Sequence, residues 1–199
     1  MAPLRFYFDF ISTYAYIAIQ RIDDMAARYG RTVDWRAVSL GHLFQAQGVK
    51  PPPETPAKFK YNVLDFQRSC ARAGLPCKLP AAFPPDVKLA RLVFWRLKMR
   101  DEALSHVFAR AVATTVYGQG ESVEAIDDVA RACRGVEGVA SEDIVAAAND
   151  PAAKDALFRA LEEAKADGVF GAPFIIVDGE PFWGADRLDA VESKLAASR

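Results

Sequence analysis

Cysteine and histidine are scarce in this sequence, with three cysteines and two histidines among 199 residues. His42 and His106 have no ligand-like spacing to each other or to a cysteine pair, so no metal site is predicted. An odd number of cysteines without a paired framework is typical of a reducing compartment. Cys70 and Cys77 flank a Gly-Leu-Pro turn and are close enough in sequence to meet, although reduced structural thiols are the simpler interpretation.

The sequence also lacks blocks of one charge and long apolar runs. It has 25 basic and 26 acidic residues, for a net charge of -1. No basic run of five or six residues occurs, so nucleic acid is not an expected partner. The apolar runs are short and broken by charge, which argues against a membrane span. Arg5 and Asp9 interrupt any secretory signal, and we expect a cytoplasmic protein.

Apolar residues, in contrast, are plentiful enough for a core, at 51% of the chain. Residues 4–10 alternate between apolar and polar side chains, which predicts a strand. A helical pattern follows at about 13–29 and stops at Gly30. Residues 32–38 alternate again. A helical crossover of this length predicts that the two strands are parallel.

The middle of the chain has a helical character. Residues 41–57 contain Gly48 and four prolines, which predict a loop and a domain boundary. Ser122 and Ser141 are expected N-caps, and Asp150 followed by Pro151 predicts another helix start. The helices themselves are predicted at about 59–73, 86–99, 102–117, 122–134, 141–149 and 151–167.

A second strand pattern appears near the C-terminus. Residues 174–177 predict a short buried strand, and Asp178-Gly179 predicts a hairpin turn into a strand at 180–183. Asp186 is expected to open a final helix. The sequence therefore predicts an α/β fold in which residues 1–40 and 155–199 form one domain, interrupted by an all-α insertion domain at 41–154.

Ser12 lies where the first strand gives way to the first helix. Ligands of open α/β sheets bind at the carboxyl ends of strands, and a helix N-terminus stabilises an anion. A serine at this position is also most often a simple N-cap. Both interpretations of Ser12 stay open from the sequence alone.

Gly171-Ala172-Pro173-Phe174 opens the C-terminal strand. A proline is tolerated at the first position of a strand. The alternative is a cis Ala172-Pro173 bond, which would turn the backbone of Ala172 outward, although only roughly one X-Pro bond in twenty is cis in folded proteins.

This order of elements resembles the thioredoxin fold with a helical insertion. Redox members of that superfamily carry the first cysteine of a Cys-x-x-Cys pair at the position of Ser12. Here the four residues are Ser12-Thr13-Tyr14-Ala15, which excludes dithiol–disulfide chemistry at this position.

The finer resemblance is to the 2-hydroxychromene-2-carboxylate isomerases and the related kappa-class glutathione transferases. It covers nearly the whole chain. The matching stretches are Phe6-Tyr7-Phe8-Asp9-Phe10-Ile11-Ser12, Tyr16, Tyr61 with Asp65 and Arg68, Phe170-Gly171-Ala172-Pro173, and Trp183-Gly184-Ala185-Asp186-Arg187-Leu188.

The resemblance implies a glutathione site built from both ends of the chain. Ser12 would donate to the glutathione sulfur, and Ala172 before cis-Pro173 would pair with the cysteinyl backbone. Asp186 and Arg187 would hold the γ-glutamyl end. The remaining implied glutathione contacts are Lys58, at the glycyl carboxylate, and Trp183, along the cleft. The alternatives without a ligand are a helix cap for Asp186, a solvated side chain for Lys58 and a core position for Trp183.

For the substrate, the resemblance implies a small aromatic acid, with Phe10, Tyr61, Asp86 and Trp95 as pocket residues, and it implies a homodimer. Family members often have asparagine at the position of Asp86 and proline at the position of Thr13. The expected activity is the glutathione-dependent interconversion of 2-hydroxychromene-2-carboxylate and trans-o-hydroxybenzylidenepyruvate. The alternatives are a kappa-like transferase acting on other electrophiles and a non-catalytic binding protein on the same fold.

Overall fold

A four-stranded sheet joins the two ends of the chain in the computed structural model, which describes residues 2–48 and 56–198. The strands are β1 (Leu4–Phe8), β2 (Val33–Ala37), β3 (Phe174–Val177) and β4 (Glu180–Trp183), in the order β2-β1-β3-β4. β1 and β2 are parallel, as predicted, and the other two pairings are antiparallel. β1 therefore lies between an early strand and a strand from the far end of the chain.

Ten α-helices surround this sheet in the part of the chain that the structure describes. They are α1 (Thr13–Ile19), α2 (Ile22–Ala27), α3 (Leu40–Ala46), α4 (Pro56–Ala73), α5 (Lys88–Arg100), α6 (Glu102–Thr114), α7 (Ile126–Ala132), α8 (Ser141–Ala147), α9 (Pro151–Ala166) and α10 (Leu188–Ala197).

Two sequence predictions of local structure are wrong in this region. The single helix expected at 13–29 is two helices, because the chain tightens at the break, where the Arg21 N–H donates to the Ala18 carbonyl at 3.0 Å. The loop expected at 41–57 includes α3, which buries Leu40 and Leu43. Residues 49–55 of that predicted loop lie outside the described residues.

The helix caps also depart from prediction in places. Asp150 caps α9 as expected, accepting from the N–H groups of Ala152 and Ala153. Ser122 and Ser141 do not occupy the N-cap positions, which fall at Ala125 and Ala140.

The start of α10 and the end of α6 have turns that differ from a regular α-helix. Asp186 lies in a 3-10 turn (Ala185–Arg187), and α10 begins after it. α6 is followed by a π-helix at Thr115–Gln119, ended by Gly120 at φ 73°. The periodicity of the sequence gave no sign of this π-helix.

Aromatic side chains fill the core between the sheet and α5. The ring of Phe8 lies between 5.2 and 5.5 Å from those of Phe6, Phe10, Trp35 and Phe94, mostly edge to face. Such rings bury large apolar areas and add a favourable pairing geometry. This cluster anchors β1, and with it the loop that carries Ser12.

The predicted hairpin between β3 and β4 is confirmed. Asp178 and Gly179 have φ values of 50° and 86°, the paired positive values that a two-residue hairpin turn requires. This hairpin brings Trp183 at the end of β4 opposite Phe174 at the start of β3.

Candidate active site

Ser12 occupies the N-cap of α1 and reaches across to the C-terminal segment. Its hydroxyl accepts from the Ala15 N–H at 3.1 Å and donates to the carbonyl of Ala172 at 2.9 Å. The N-cap interpretation is therefore confirmed. The same hydroxyl also connects two positions that are 160 residues apart.

The Ala172-Pro173 peptide bond is cis, which confirms the second of the two interpretations given for this proline. The Pro173 carbonyl accepts from the Gly184 N–H at 2.9 Å, so this loop is tied to the end of β4. A second cis bond, Phe83-Pro84, was not predicted.

A cavity of about 510 Å³ opens beside the Ser12–Ala172 contact. Five of the residues predicted to hold glutathione line it together, namely Ala172, Pro173, Trp183, Asp186 and Arg187. No binding role was predicted for the remaining lining residues, although Asp65, Gly184 and Ala185 lie in the stretches that carry the family resemblance. These remaining residues are Tyr14, Ile17 and Arg21 near α1, Asp65, Ser69, Arg72 and Ala73 on α4, and Gly184 and Ala185.

Charged groups line the cavity. The Arg187 guanidinium lies 3.4 Å from the Asp186 carboxylate, and the Asp65 carboxylate accepts a 2.6 Å hydrogen bond from the Tyr14 hydroxyl. Burial, followed by the hydrogen bond to Asp65, raises the pKa of Tyr14 above its ordinary range. The Tyr14 hydroxyl consequently remains a donor at physiological pH.

Trp183 reaches the cavity because residue 171 is glycine. A Cβ at Gly171 would lie 2.4 Å from the Trp183 indole nitrogen, closer than atoms can approach. Trp183 is 54% exposed and also packs edge to face on Phe170, with ring centroids 4.9 Å apart. It is thus an accessible wall residue and is not part of the core.

The predicted residues Ser12, Lys58, Tyr61 and Asp86 are not among the cavity-lining residues, and Ser12 contacts the lining through Ala172. Lys58 precedes Asp65 by seven positions on α4, which places it on the same helix face about two turns away. Tyr61 is 60% exposed on α4. Asp86 accepts from the Lys88 N–H at 3.0 Å and so belongs to the start of α5.

Phe10 and Trp95, which were predicted for the substrate pocket, both lie away from this cavity. Phe10 is 1% exposed, because its ring packs against Phe8 and Phe108 in the core. Trp95 is nearly buried on α5, where its indole N–H donates to the Ala37 carbonyl at 2.9 Å. Neither side chain lines the cavity.

The cysteines carry no activated thiol. Burial, with smaller contributions from Cys77, raises the pKa of Cys70 to about 12, and burial raises that of Cys133 to about 12. Burial also raises the pKa of Cys77. Since the thiolate is the reactive form, these are inert structural groups.

The described residues lack both a metal-binding cluster and a membrane-spanning helix. Within residues 2–48 and 56–198, no group of three or more histidine, cysteine or acidic side chains is arranged to hold a metal ion. Over the same ranges, every helix is too short or too polar to span a bilayer.

Comparison with known proteins extends these observations. Residues 3–196 match the model of the DSBA-like thioredoxin domain. The 2-hydroxychromene-2-carboxylate isomerase of Sphingobium xenophagum is 31% identical over 195 residues, 96% of this chain and 97% of that protein. Glutathione S-transferase kappa 1 of Caenorhabditis elegans is 26% identical over 207 residues, 96% of this chain and 90% of that protein.

A solved structure of a 2-hydroxychromene-2-carboxylate isomerase matches with a TM-score of 0.86 at 26% identity, covering 98% of this chain and 95% of that chain. The sheet, the helices between its halves and the cis-proline loop are those of the DsbA-like thioredoxin class. Within that class, the chain belongs to the 2-hydroxychromene-2-carboxylate isomerase family, and it is accordingly an enzyme.

Proposed function

We propose that this enzyme uses glutathione as a cofactor to interconvert 2-hydroxychromene-2-carboxylate and trans-o-hydroxybenzylidenepyruvate. The observation that carries the proposal is the 2.9 Å contact between the Ser12 hydroxyl and the Ala172 carbonyl at the edge of the cavity. These two groups are one donor and one acceptor, which is what a cysteinyl residue needs for its thiolate and its backbone N–H.

Glutathione would replace the contact between Ser12 and Ala172. The Ser12 hydroxyl would rotate its hydrogen from the Ala172 carbonyl to the glutathione sulfur. The freed carbonyl would accept the cysteinyl N–H, in the manner of an added strand. Each polar group thus exchanges one partner for another, and none is left unsatisfied.

The charged rims of the cavity suit the ends of the tripeptide. Asp186 and Arg187 would hold the ammonium and carboxylate of the γ-glutamyl end, while Lys58, on the α4 face of Asp65, would meet the glycyl carboxylate. Trp183 would cover the middle of the peptide. The enzyme would work in the cytoplasm, where reduced glutathione is abundant, as the homodimer that the family resemblance implies.

Ser12 would activate the cofactor without ionising. A cysteine thiol has a pKa of about 8.5, so only a few per cent is thiolate at pH 7. A hydrogen bond from Ser12 favours the anion and lowers this pKa. A shift of one unit corresponds to about 1.4 kcal/mol, which one charge-assisted hydrogen bond supplies.

The reaction would be an addition followed by an elimination. When bound beside Ser12, glutathione would supply a thiolate nucleophile for addition to a conjugated carbon of the ring-opened substrate. Rotation about the bond that this addition makes single, followed by elimination of the thiolate, would give the trans product without consuming glutathione.

The test compares turnover with and without glutathione in wild type, Ser12→Ala and Ser105→Ala. Loss of a single stabilising donor costs on the order of 10²-fold in kcat, and we expect this for Ser12→Ala. Ser105 is the matched control, a buried serine on α6 whose hydroxyl donates to the Glu102 carbonyl at 2.6 Å. Its alanine variant should turn over like wild type.

Equal activity with and without glutathione would contradict the cofactor assignment, and unchanged kinetics in Ser12→Ala would remove Ser12 from the mechanism. A second candidate, a kappa-like transferase, is favoured by the similarity to the kappa-class enzyme. Mass spectrometry of the products separates the two: an isomerase releases free product, whereas a transferase releases a glutathione adduct.

A further inference from the structure

The loop that carries Ser12 is held by buried side chains that come from the helical middle of the chain. Asp9 is fully buried, and its carboxylate accepts both arms of the Arg91 guanidinium, at 2.8 and 2.9 Å. The same carboxylate accepts the N–H of Leu40 at 2.8 Å and that of Ile11 at 3.3 Å. Both Asp9 oxygens are thus engaged by structural partners, and Asp9 does not serve as a base.

The backbone of this loop has a second buried anchor. The Tyr117 hydroxyl donates to the Ile11 carbonyl at 2.6 Å, and the Ser12 N–H donates to the Asp9 carbonyl at 3.0 Å. Tyr117 is buried against Tyr16 and Phe66. Burial raises the pKa of Tyr117 well above its ordinary value, so its hydroxyl remains a donor.

Tyr117 lies within the π-helix at Thr115–Gln119. A π-helix turns its side chains to directions that a continued α-helix would not give, and such segments recur at functional sites. From this segment the Tyr117 hydroxyl reaches the carbonyl of Ile11, the residue directly before Ser12.

We propose that Tyr117, together with the Asp9–Arg91 pair, is a positioning residue that fixes where the Ser12 hydroxyl meets the glutathione sulfur. This inference rests on the proposed function. If the anchor is removed, the loop relaxes, the hydrogen bond from Ser12 to the thiolate weakens, and the bound thiol ionises at higher pH.

Tyr117→Phe tests the inference, because it removes only the hydroxyl and keeps the ring. The matched control is Tyr16→Phe, an equally buried tyrosine of the same aromatic cluster whose hydroxyl donates to the Pro76 carbonyl at 3.1 Å and not to the backbone of the Ser12 loop. The readouts are the pH profile of kcat and the ultraviolet absorbance of glutathione thiolate bound to the enzyme.

We expect Tyr117→Phe to move both profiles to higher pH by about one unit, which is about a tenfold loss of kcat at pH 7. The KM for glutathione should change little, because the contacts to its backbone and ends remain. Tyr16→Phe should leave both profiles unchanged. A folded Tyr117→Phe protein with the profiles of wild type would overturn the inference.

A second pair of variants decides the matter if Tyr117→Phe does not fold. Arg91→Lys keeps the charge beside Asp9 but loses the two-armed geometry. Its control is Arg96→Lys on the same helix, where Arg96 pairs with Asp150 at 2.8 Å. A shift to higher pH in Arg91→Lys alone supports the inference, and equal profiles in both overturn it.

The thiolate absorbance also separates this inference from the proposed function. If wild type shows bound thiolate and the anchor variants match it, only the positioning role fails. If wild type gives no thiolate signal with glutathione, the proposed function fails and takes this inference with it.

Discussion

Gly171 shows how one missing side chain shapes the cavity. Any Cβ there would collide with the Trp183 indole, whose nitrogen lies 2.4 Å from the ideal Cβ position. The Trp183 side chain is exposed enough to swing away, so the collision would be relieved by opening the cavity wall and not by unfolding.

Gly171→Ala should therefore weaken glutathione binding without a large loss of stability. We expect the dissociation constant to rise about tenfold, the equivalent of about 1.4 kcal/mol, with altered tryptophan fluorescence. Titration calorimetry measures the affinity. Gly41→Ala is the control, since a Cβ at Gly41 meets nothing nearer than the Ser39 hydroxyl at 3.9 Å. Equal affinities in the two variants would show that glutathione does not need Trp183 in this position.

Among single residues, those that can be identified from the sequence are the ones marked by a motif or by neighbours close in the chain. Ser12 and Ala172-Pro173 stand at element boundaries, where the pattern itself points to them. Tyr117 and Arg91 escape notice because their partners lie 106 and 82 positions away along the chain. An isolated arginine or tyrosine in a helical pattern gives no hint of such a contact.

Among the helices, α9 combines two stabilising devices at its N-terminus. Asp150 caps the helix through two backbone N–H groups and pairs with Arg96 at 2.8 Å. The hydrogen bond from Arg96, together with those from the backbone of Ala152 and Ala153, lowers the pKa of Asp150.

A pH titration of stability isolates the charge of Asp150. Asp150→Asn retains a good N-cap but loses the charge. Because the folded-state pKa is depressed, the carboxylate stabilises the fold above its unfolded pKa of about 3.9, and this contribution disappears as pH falls through the folded pKa. The difference in free energy of unfolding between wild type and Asp150→Asn should thus be largest near neutral pH and shrink below about pH 4. A difference that is constant with pH would contradict the proposed charge effect.

The elements that the sequence predicts best are those whose signals lie within a few residues. The β3–β4 hairpin and the start of α9 follow from Asp178-Gly179 and Asp150-Pro151. The helix α3 cannot be predicted from such local signals, because a seven-residue helix is marginal by itself. It forms here where Leu40 and Leu43 are buried by the rest of the protein. The π-helix is not predictable either, because its sequence continues the helical pattern of α6 and only the backbone conformation changes.

For the molecule as a whole, glutathione bound between Ser12 and Ala172 would tie together the two ends of the chain. A ligand that binds only the folded state stabilises it by mass action. Glutathione at a hundred times its dissociation constant should raise the free energy of unfolding by about 2.7 kcal/mol. Denaturation followed by circular dichroism and by tryptophan fluorescence measures this increase.

Both probes should report the same increment, because the sheet unites the two ends in one cooperative unit. Ser105→Ala serves as the control again, and it should gain the same increment from a lower starting stability. No change in stability at saturating glutathione would contradict the proposed site.

The sheet order has a consequence for synthesis on the ribosome. Ser12 emerges early, but its partner Ala172 does not emerge until 160 residues later. Until β3 is translated, β1 has a neighbour on one side alone and presents an open edge, the kind of surface that invites aggregation. A message truncated anywhere in the helical middle would release a polypeptide that has Ser12 but lacks Ala172 and leaves its central strand uncovered, a natural target for chaperones and proteases.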